Sequence, residues 1–299
     1  MGFPGLELLQ CRQMLAGIAA PNVENDVVRF LQRFSDRARV PFLPIDRKGR
    51  RDTLAKWLKR LDADALFVAS FPWKIPEPVL SIPALGSFNF HPGALPEYRG
   101  IEPIFWAIRN GEKQTAVSVI RMDKGFDTGD VVLSVELPIH ANDTYGLLTN
   151  KLSVVVRSAM EALLRRLLEK EPPGSQPQPA NSHPNRRRPD LSSLTVSWRE
   201  QTIEQIRDLT RAANPVYGGA AVTLRAIPFR LLEVSRTELP PEPGLMPGTV
   251  LRADPRSGLI VACADGALKI GVISGQEGTF RGETFAAAYG IGRGDLFSS

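Results

Sequence analysis

Short apolar runs and helical stripes alternate along the first 171 residues. Leu66-Phe67-Val68-Ala69, Ser87 to Phe90 and Ala116 to Arg121 are dense in β-branched and aromatic residues and predict strands. Leu54-Ala55-Lys56-Trp57-Leu58-Lys59-Arg60-Leu61 repeats its apolar residues at three- and four-residue intervals, the mark of an amphipathic helix. Thr144 to Glu171 predicts a long helix with Leu152, Val155, Val156, Ala159, Leu163, Leu164 and Leu167 as its apolar stripe. Arg165, Arg166 and Lys170 fall in its last turns, where cations suit the helix dipole. Strands alternating with helices predict an α/β fold on a mostly parallel sheet.

The texture then changes. Pro172 to Ser182 is too rich in Pro and polar residues for a packed element and predicts an extended linker. Leu194 to Trp198 reads as a strand, and Gln201 to Ala213 as a helix ended by Asn214-Pro215. Beyond Tyr217-Gly218-Gly219 there is no helical period. Short strands follow at Ala221–Leu224, Phe229–Val234, Gly248–Arg252, Leu259–Ala262 and Ala267–Ile273, with turn signals at Arg256-Ser257-Gly258 and Asp265-Gly266. This predicts a small antiparallel barrel of the oligonucleotide-binding type. The expected organisation is a catalytic domain over 1–171, a linker over 172–193 and a barrel over 194–299.

Composition narrows the picture only a little. At 299 residues two domains are expected, and 43% apolar residues can fill their cores. No apolar stretch is long enough for a membrane span, and MGFPGLELLQCRQM lacks the features of a signal peptide, so a cytoplasmic protein is expected. Cys11 and Cys263 are far apart and fit no metal spacing, so two reduced thiols and no metal are expected. The net charge of +5 permits an anionic partner without requiring one.

Chemistry concentrates in two motifs. In Ser87-Phe88-Asn89-Phe90-His91-Pro92-Gly93, Asn89 and His91 are two apart, so on a strand both face one side. In Met122-Asp123-Lys124-Gly125-Phe126-Asp127-Thr128-Gly129-Asp130, Asp127 sits in a Gly-flanked loop that can aim it at an imidazole. An amide to polarise a carbonyl, a His to move protons and a carboxylate to orient it are the equipment for acyl transfer. Taken singly, each is more often structural: a turn Asn, a satisfied His, a turn Asp before Thr-Gly. Their joint placement carries the reading. His140 and His183 have no such setting.

SFNFHPGALPEYRG followed by MDKGFDTGD resembles the formyltransferases that use 10-formyltetrahydrofolate. The resemblance implies a Rossmann-like formyltransferase fold and puts Asn89, His91 and Asp127 on the family's catalytic Asn, His and Asp. It implies 10-formyltetrahydrofolate as co-substrate, with Phe71-Pro72-Trp73-Lys74-Ile75-Pro76 as one wall of its pterin pocket. Trp73, Lys74 and Ile75 belong to that wall, and Asp123, Lys124, Gly125 and Phe126 to the opposite one. Tyr98-Arg99-Gly100 would shape the mouth, with Arg99 meeting a carboxylate or phosphate. IRDLTRAANPVYGG, PGTV and ADGALKIG resemble the C-terminal barrel of two-domain members. Such proteins usually begin with an apolar strand before a Gly-containing loop and helix. Here Phe3 to Leu9 already reads as that loop and helix and Leu15 to Ala19 as the second strand, so the first strand is expected to be missing. Open edges and an open core should follow.

The acceptor amine follows from local departures. Methionyl-tRNA enzymes carry a basic insertion after the second strand, whereas Ala20 to Val27 is short and acidic. Residues 195–299 hold as many acidic as basic side chains, and Arg186-Arg187-Arg188 is the basic cluster nearest to them. Ile101-Glu102-Pro103-Ile104-Phe105-Trp106 replaces the family's small-residue run, putting Glu102 where it can pair with a cationic acceptor. The expected activity is biosynthetic formyl transfer to a small amine or hydroxylamine. Methionyl-tRNA formylation is the alternative, and formyl-folate hydrolysis or an inactive folate-binding relative the second.

Overall fold

The computed structural model describes residues 2–169, 174–179, 185–240, 242 and 244–299. They form two compact units: Met1–Gly100, Gln114–Leu137 and Thr149–Asn185 in the first, and Ile101–Lys113, Pro138–Leu148 and Arg186–Ser299 in the second. Lys170 and Glu171, the ends of the Pro-rich run (172–173 and 180–182) and His183 fall outside the described residues.

The first unit opens with α1 (Phe3–Cys11), started by Pro4 in its first turn. Then come β1 (Ile18–Pro21), α2 (Asp26–Ala38), β2 (Phe42–Ile45) and α3 (Arg50–Leu61). Asn25 caps α2 by accepting from the Val28 N–H at 2.8 Å, and Arg39 ends it in a left-handed turn. β3 (Ala65–Val68), α4 (Glu77–Leu80) and β4 (Gly86–His91) follow. After α5 (Pro103–Arg109), which belongs to the second unit, come β5 (Gln114–Arg121), β6 (Val131–Pro138) and α6 (Tyr145–Leu168). Leu152, Val156, Ala159, Leu163, Leu164 and Leu167 of the predicted stripe are buried in α6, while Val155 lies at its edge. A 3.6-residue period and the observed packing therefore agree along this helix.

The sheet differs from the expectation of one mostly parallel layer. β1 pairs β2 in parallel and forms a sheet of its own. A second sheet has the order β3-β4-β5-β6, parallel between β3 and β4 and antiparallel between β4 and β5. The second strand of the expected series also lies later, at Ile18–Pro21 rather than Leu15 to Ala19, because Arg12 to Gly17 closes α1 and crosses to the sheet. No strand among the described residues lies between β1 and β3. A hollow of about 590 Å³ occupies that place. Its lining is mostly apolar, and the hollow is far larger than the voids of a close-packed interior.

The second unit continues with α7 (Leu191–Leu194) and α8 (Ile203–Ala213). Leu194 to Trp198 is not a strand. Asp190 accepts from Ser193 to cap α7, and Thr195 then makes a single bridge to Ala221. α8 starts with a reciprocal capping box between Thr202 and Gln205. β7 (Ala220–Leu224), β8 (Ile227–Arg236), β9 (Val250–Asp254), β10 (Gly258–Cys263) and β11 (Gly266–Gly275) match the predicted strands within a few residues. β12 (Gly278–Arg281), α9 (Gly282–Ala288) and β13 (Phe297–Ser298) complete the unit. α9 corrects the all-strand reading of this half; it is seven residues long, too short for a period to show. The sheet has the order β13-β7-β8-β11-β10-β9, with β12 on β11. Its ends meet where Thr249 bridges Leu296, so the antiparallel sheet curls back on itself as a barrel.

Candidate active site

The first unit brings Asn89, His91 and Asp127 together. β4 projects Asn89 and His91 to one side, as its two-residue period requires. Asp127 adopts a left-handed backbone, φ 54°, at the tip of the loop joining β5 to β6. Its Oδ1 accepts from the Asn89 Nδ2 at 3.2 Å and its Oδ2 from the Gly100 backbone N–H at 3.0 Å. The same Oδ2 lies 3.6 Å from Nδ1 of His91.

The imidazole is buried, and its other nitrogen, Nε2, is 2.7 Å from the Tyr98 carbonyl oxygen. A carbonyl only accepts, so Nε2 carries a proton and donates. The neutral ring then presents its Nδ1 lone pair to Asp127, and a proton taken up at Nδ1 forms an ion pair with it. Tyr98 fixes the tautomer and Asp127 stabilises the cation.

The loop itself is held from inside. Asp123 accepts from the Gly125 N–H and from the Thr128 hydroxyl, at 2.9 and 2.8 Å through Oδ1. A Cβ on Gly129 would fall 1.8 Å from the Arg121 carbonyl oxygen, and one on Gly125 1.8 Å from the Thr128 hydroxyl. Both glycines are therefore required by close approach.

A hollow of about 60 Å³ opens beside the cluster. Trp73, Lys74 and Ile75 line it from one segment, and Asp123, Gly125, Phe126 and Asp127 from the other. Asn89 also faces it, Phe71 lines it from the expected wall segment, and Val68, Ile120 and Met122, which the sequence reading did not assign to the pocket, form the rest of the lining. Lys124 is not part of it. Ile75 is core as well as wall, only 4% exposed, and Trp73 meets Phe71 edge to face at 5.5 Å. The Lys74 ammonium sits 6.0 Å from the centre of the exposed Phe126 ring, and both residues line the hollow.

Arg99 is buried, and its guanidinium donates from Nε to Gln178 Oε1 at 2.9 Å and from Nη2 to the Pro179 carbonyl at 3.3 Å. The Gln178 amide in turn donates to the carbonyls of Asp127 and Gly129, at 2.9 and 2.6 Å. Gln176 pairs with Val131. The described part of the Pro-rich run thus braces the Asp127 loop, a role the linker reading missed.

Glu102 belongs to the second unit. It stands before α5 with φ 60° and accepts from the Tyr145 hydroxyl at 2.8 Å. Tyr217 hydrogen-bonds to it as well, and burial followed by the Glu102 charge pushes the Tyr217 hydroxyl up to about 12. The Tyr145 hydroxyl is raised for the same reasons, burial first. Trp106 donates to the Arg187 carbonyl at 2.8 Å, and the Arg186 guanidinium lies 6.0 Å from its ring centre. Among the described residues, no group of three or more His, Cys, Asp or Glu side chains is placed to hold a metal, and no helix is long and apolar enough to cross a membrane.

An α/β unit with an amide, an imidazole and a carboxylate meeting at a strand end, together with a barrel unit, is a plan for group transfer. Residues 24–164 match the formyl transferase family and residues 192–289 the formyl transferase C-terminal domain. The chain belongs to the formyltransferase family. Methionyl-tRNA formyltransferase of Janthinobacterium sp. (strain Marseille) is 34% identical over 213 residues, 71% of this chain and 66% of that protein. The chain thus spans about two thirds of that relative. HypX from Aquifex aeolicus, solved with tetrahydrofolic acid, matches with a TM-score of 0.62 at 18% identity, over 92% of this chain and 47% of that one. An N-formyltransferase from Helicobacter canadensis, solved with folinic acid and dTDP-3-aminofucose, has a TM-score of 0.55 at 18% identity. It covers 84% of this chain and is itself covered over 97%. Both are likenesses of fold.

Proposed function

We propose that the protein transfers the formyl group of 10-formyltetrahydrofolate to the amine of a small-molecule acceptor. The observation that carries this is the Asn89–Asp127–His91 cluster on the lip of the hollow between the Trp73 and Phe126 segments. The amine nitrogen attacks the formyl carbon, and the carbonyl oxygen becomes an oxyanion. The Asn89 amide donates to that oxyanion. His91 takes the proton the amine sheds, at Nδ1, with Asp127 stabilising the imidazolium. The bond from carbon to the folate N10 then breaks and N10 is reprotonated, leaving tetrahydrofolate and the formamide. The hollow has room for the formyl group, with Phe126 and Lys74 in its lining.

Within the second unit, Glu102 is a carboxylate preset by two tyrosine hydroxyls, which suits a small cationic ligand. The absence of net positive charge over residues 195–299 points the same way, because a tRNA needs several phosphate contacts. Methionyl-tRNA is the second reading, supported by the name of the 34% identical relative.

The test supplies 10-formyltetrahydrofolate with methionyl-tRNA, amino-sugar nucleotides or hydroxyornithine and follows tetrahydrofolate and formylated product together, with His91→Ala as control. Product with a small amine alone supports the proposal. Product with methionyl-tRNA alone selects the second reading, and tetrahydrofolate without any acceptor makes the protein a hydrolase.

A further inference from the structure

On the reading that Asn89, His91 and Asp127 carry formyl transfer, we propose that Arg99 is a positioning residue for that reaction. It acts through Gln178, which sets the Asp127 loop against His91, and it does not meet the substrate.

Three consecutive residues address the His91–Asp127 pair. The Tyr98 carbonyl accepts from Nε2 of His91 at 2.7 Å, and the Gly100 N–H donates to Oδ2 of Asp127 at 3.0 Å. Between them the Arg99 side chain reaches the run 175–179 instead. Its Nε donates to Gln178 Oε1 at 2.9 Å and its Nη2 to the Pro179 carbonyl at 3.3 Å. Arg99 is only 4% exposed, and a buried cation is costly unless its donors find acceptors. Two protein oxygens therefore stand where the sequence reading put a carboxylate or phosphate of the substrate.

Charge orients the amide that links Arg99 to the loop. A guanidinium only donates, so Gln178 must turn its oxygen to Arg99. Both hydrogens of the amide are then left for the Asp127 and Gly129 carbonyls, at 2.9 and 2.6 Å. The reversed amide would set donor against donor on one side and oxygen against oxygen on the other. Arg99 thereby selects the one orientation that holds the loop.

Asp127 needs that hold. Its backbone is left-handed, φ 54°, a conformation that costs a residue with a Cβ. Asp123 braces the loop from within, and Gln178 grips the carbonyls on either side of Thr128. The Asp127 carboxylate stands 3.6 Å from Nδ1 of His91, just beyond hydrogen-bond range. A small displacement of the loop thus decides whether the pair closes during the reaction.

The test compares the unaltered chain with Arg99→Met, Arg99→Lys, Gln178→Glu and the double variant of Arg99→Met with Gln178→Glu. kcat and KM for 10-formyltetrahydrofolate are measured with whichever of methionyl-tRNA, amino-sugar nucleotides or hydroxyornithine gives product. Amide exchange and thermal midpoints are recorded alongside. Methionine keeps much of the bulk of arginine without its donors, and glutamate keeps a partner for Arg99 but offers the loop carbonyls no donor. Arg99→Met and Gln178→Glu should each lower kcat about tenfold or more, with KM within about threefold. Both should also speed exchange at Phe126 to Gly129. Arg99→Lys, which can still donate to one acceptor, should recover part of the loss. The double variant should lose no more than either single one, because the two residues act as a unit.

A KM that rises while kcat holds would make Arg99 a substrate contact and overturn the proposal. Additive losses would overturn it too, as would Arg99→Lys performing no better than Arg99→Met. Should Arg99→Met not fold, Gln178→Glu decides, since it leaves Arg99 in place: unchanged kcat or unchanged loop exchange sinks the proposal. No product from the unaltered chain with any acceptor would instead remove the formyl-transfer reading, and the positioning role with it.

Discussion

Oδ2 of Asp127 sits between the Gly100 N–H, 3.0 Å away, and Nδ1 of His91, 3.6 Å away, while the Tyr98 carbonyl takes the other nitrogen of the ring. Tyr98 and Gly100 thus grip the pair through backbone groups, from a segment whose side chains need not take part. His91→Ala and Asp127→Ala should each lower the rate of formyl transfer about a hundredfold or more. Single-turnover kinetics with thermal midpoints measured in parallel would check this. A loss below tenfold with either variant would remove that residue from proton transfer.

Gly129→Ala should be the more damaging of the two loop glycine changes. Its Cβ meets a backbone oxygen, which cannot move aside, whereas the Cβ of Gly125→Ala meets a threonine side chain that can rotate. A destabilisation of at least about 1–3 kcal/mol is expected for Gly129→Ala, the usual scale of overpacking. Urea unfolding of both variants gives the ranking, and equal midpoints would count against the close approach.

Removing the amide of Gln178 leaves the carbonyls of Asp127 and Gly129 without their donor and Nε of the buried Arg99 without its acceptor. Gln178→Ala should cost about 1–3 kcal/mol, the penalty for unsatisfied buried groups. It should also loosen the loop, with amide exchange at Phe126 to Gly129 speeding up. Unchanged exchange there would show that the brace is dispensable.

Alkaline pH should weaken the second unit through Tyr217. Its folded-state value of about 12 lies above the ordinary 10, so the folded form keeps the proton longer than the unfolded chain. That stabilisation is complete below pH 10 and is lost as pH rises towards 12. Glu102→Gln removes the charge but not the burial, so the Tyr217 titration should move down yet stay above 10. Phenolate absorbance against pH reads this directly, and an unmoved curve would mean that the Glu102 charge does not reach the hydroxyl.

The sequence by itself determined the elements with strong periods and the identity of the cluster. α6, α8 and the barrel strands from Ala220 to Gly275 were legible because period and turn residues are local properties. Asn89 and His91 were readable as neighbours for the same reason, since a strand sends every second side chain to one side. The tertiary structure alone decided that Asp127 closes on them, because the 35 residues between His91 and Asp127 had to fold first. It also turned Leu194 to Trp198 into a cap and a single bridge and recruited Gln178 from a Pro-rich run as a brace. The division of the first unit into two sheets beside an apolar hollow depended on packing, because helices from distant parts of the chain form the walls of that hollow.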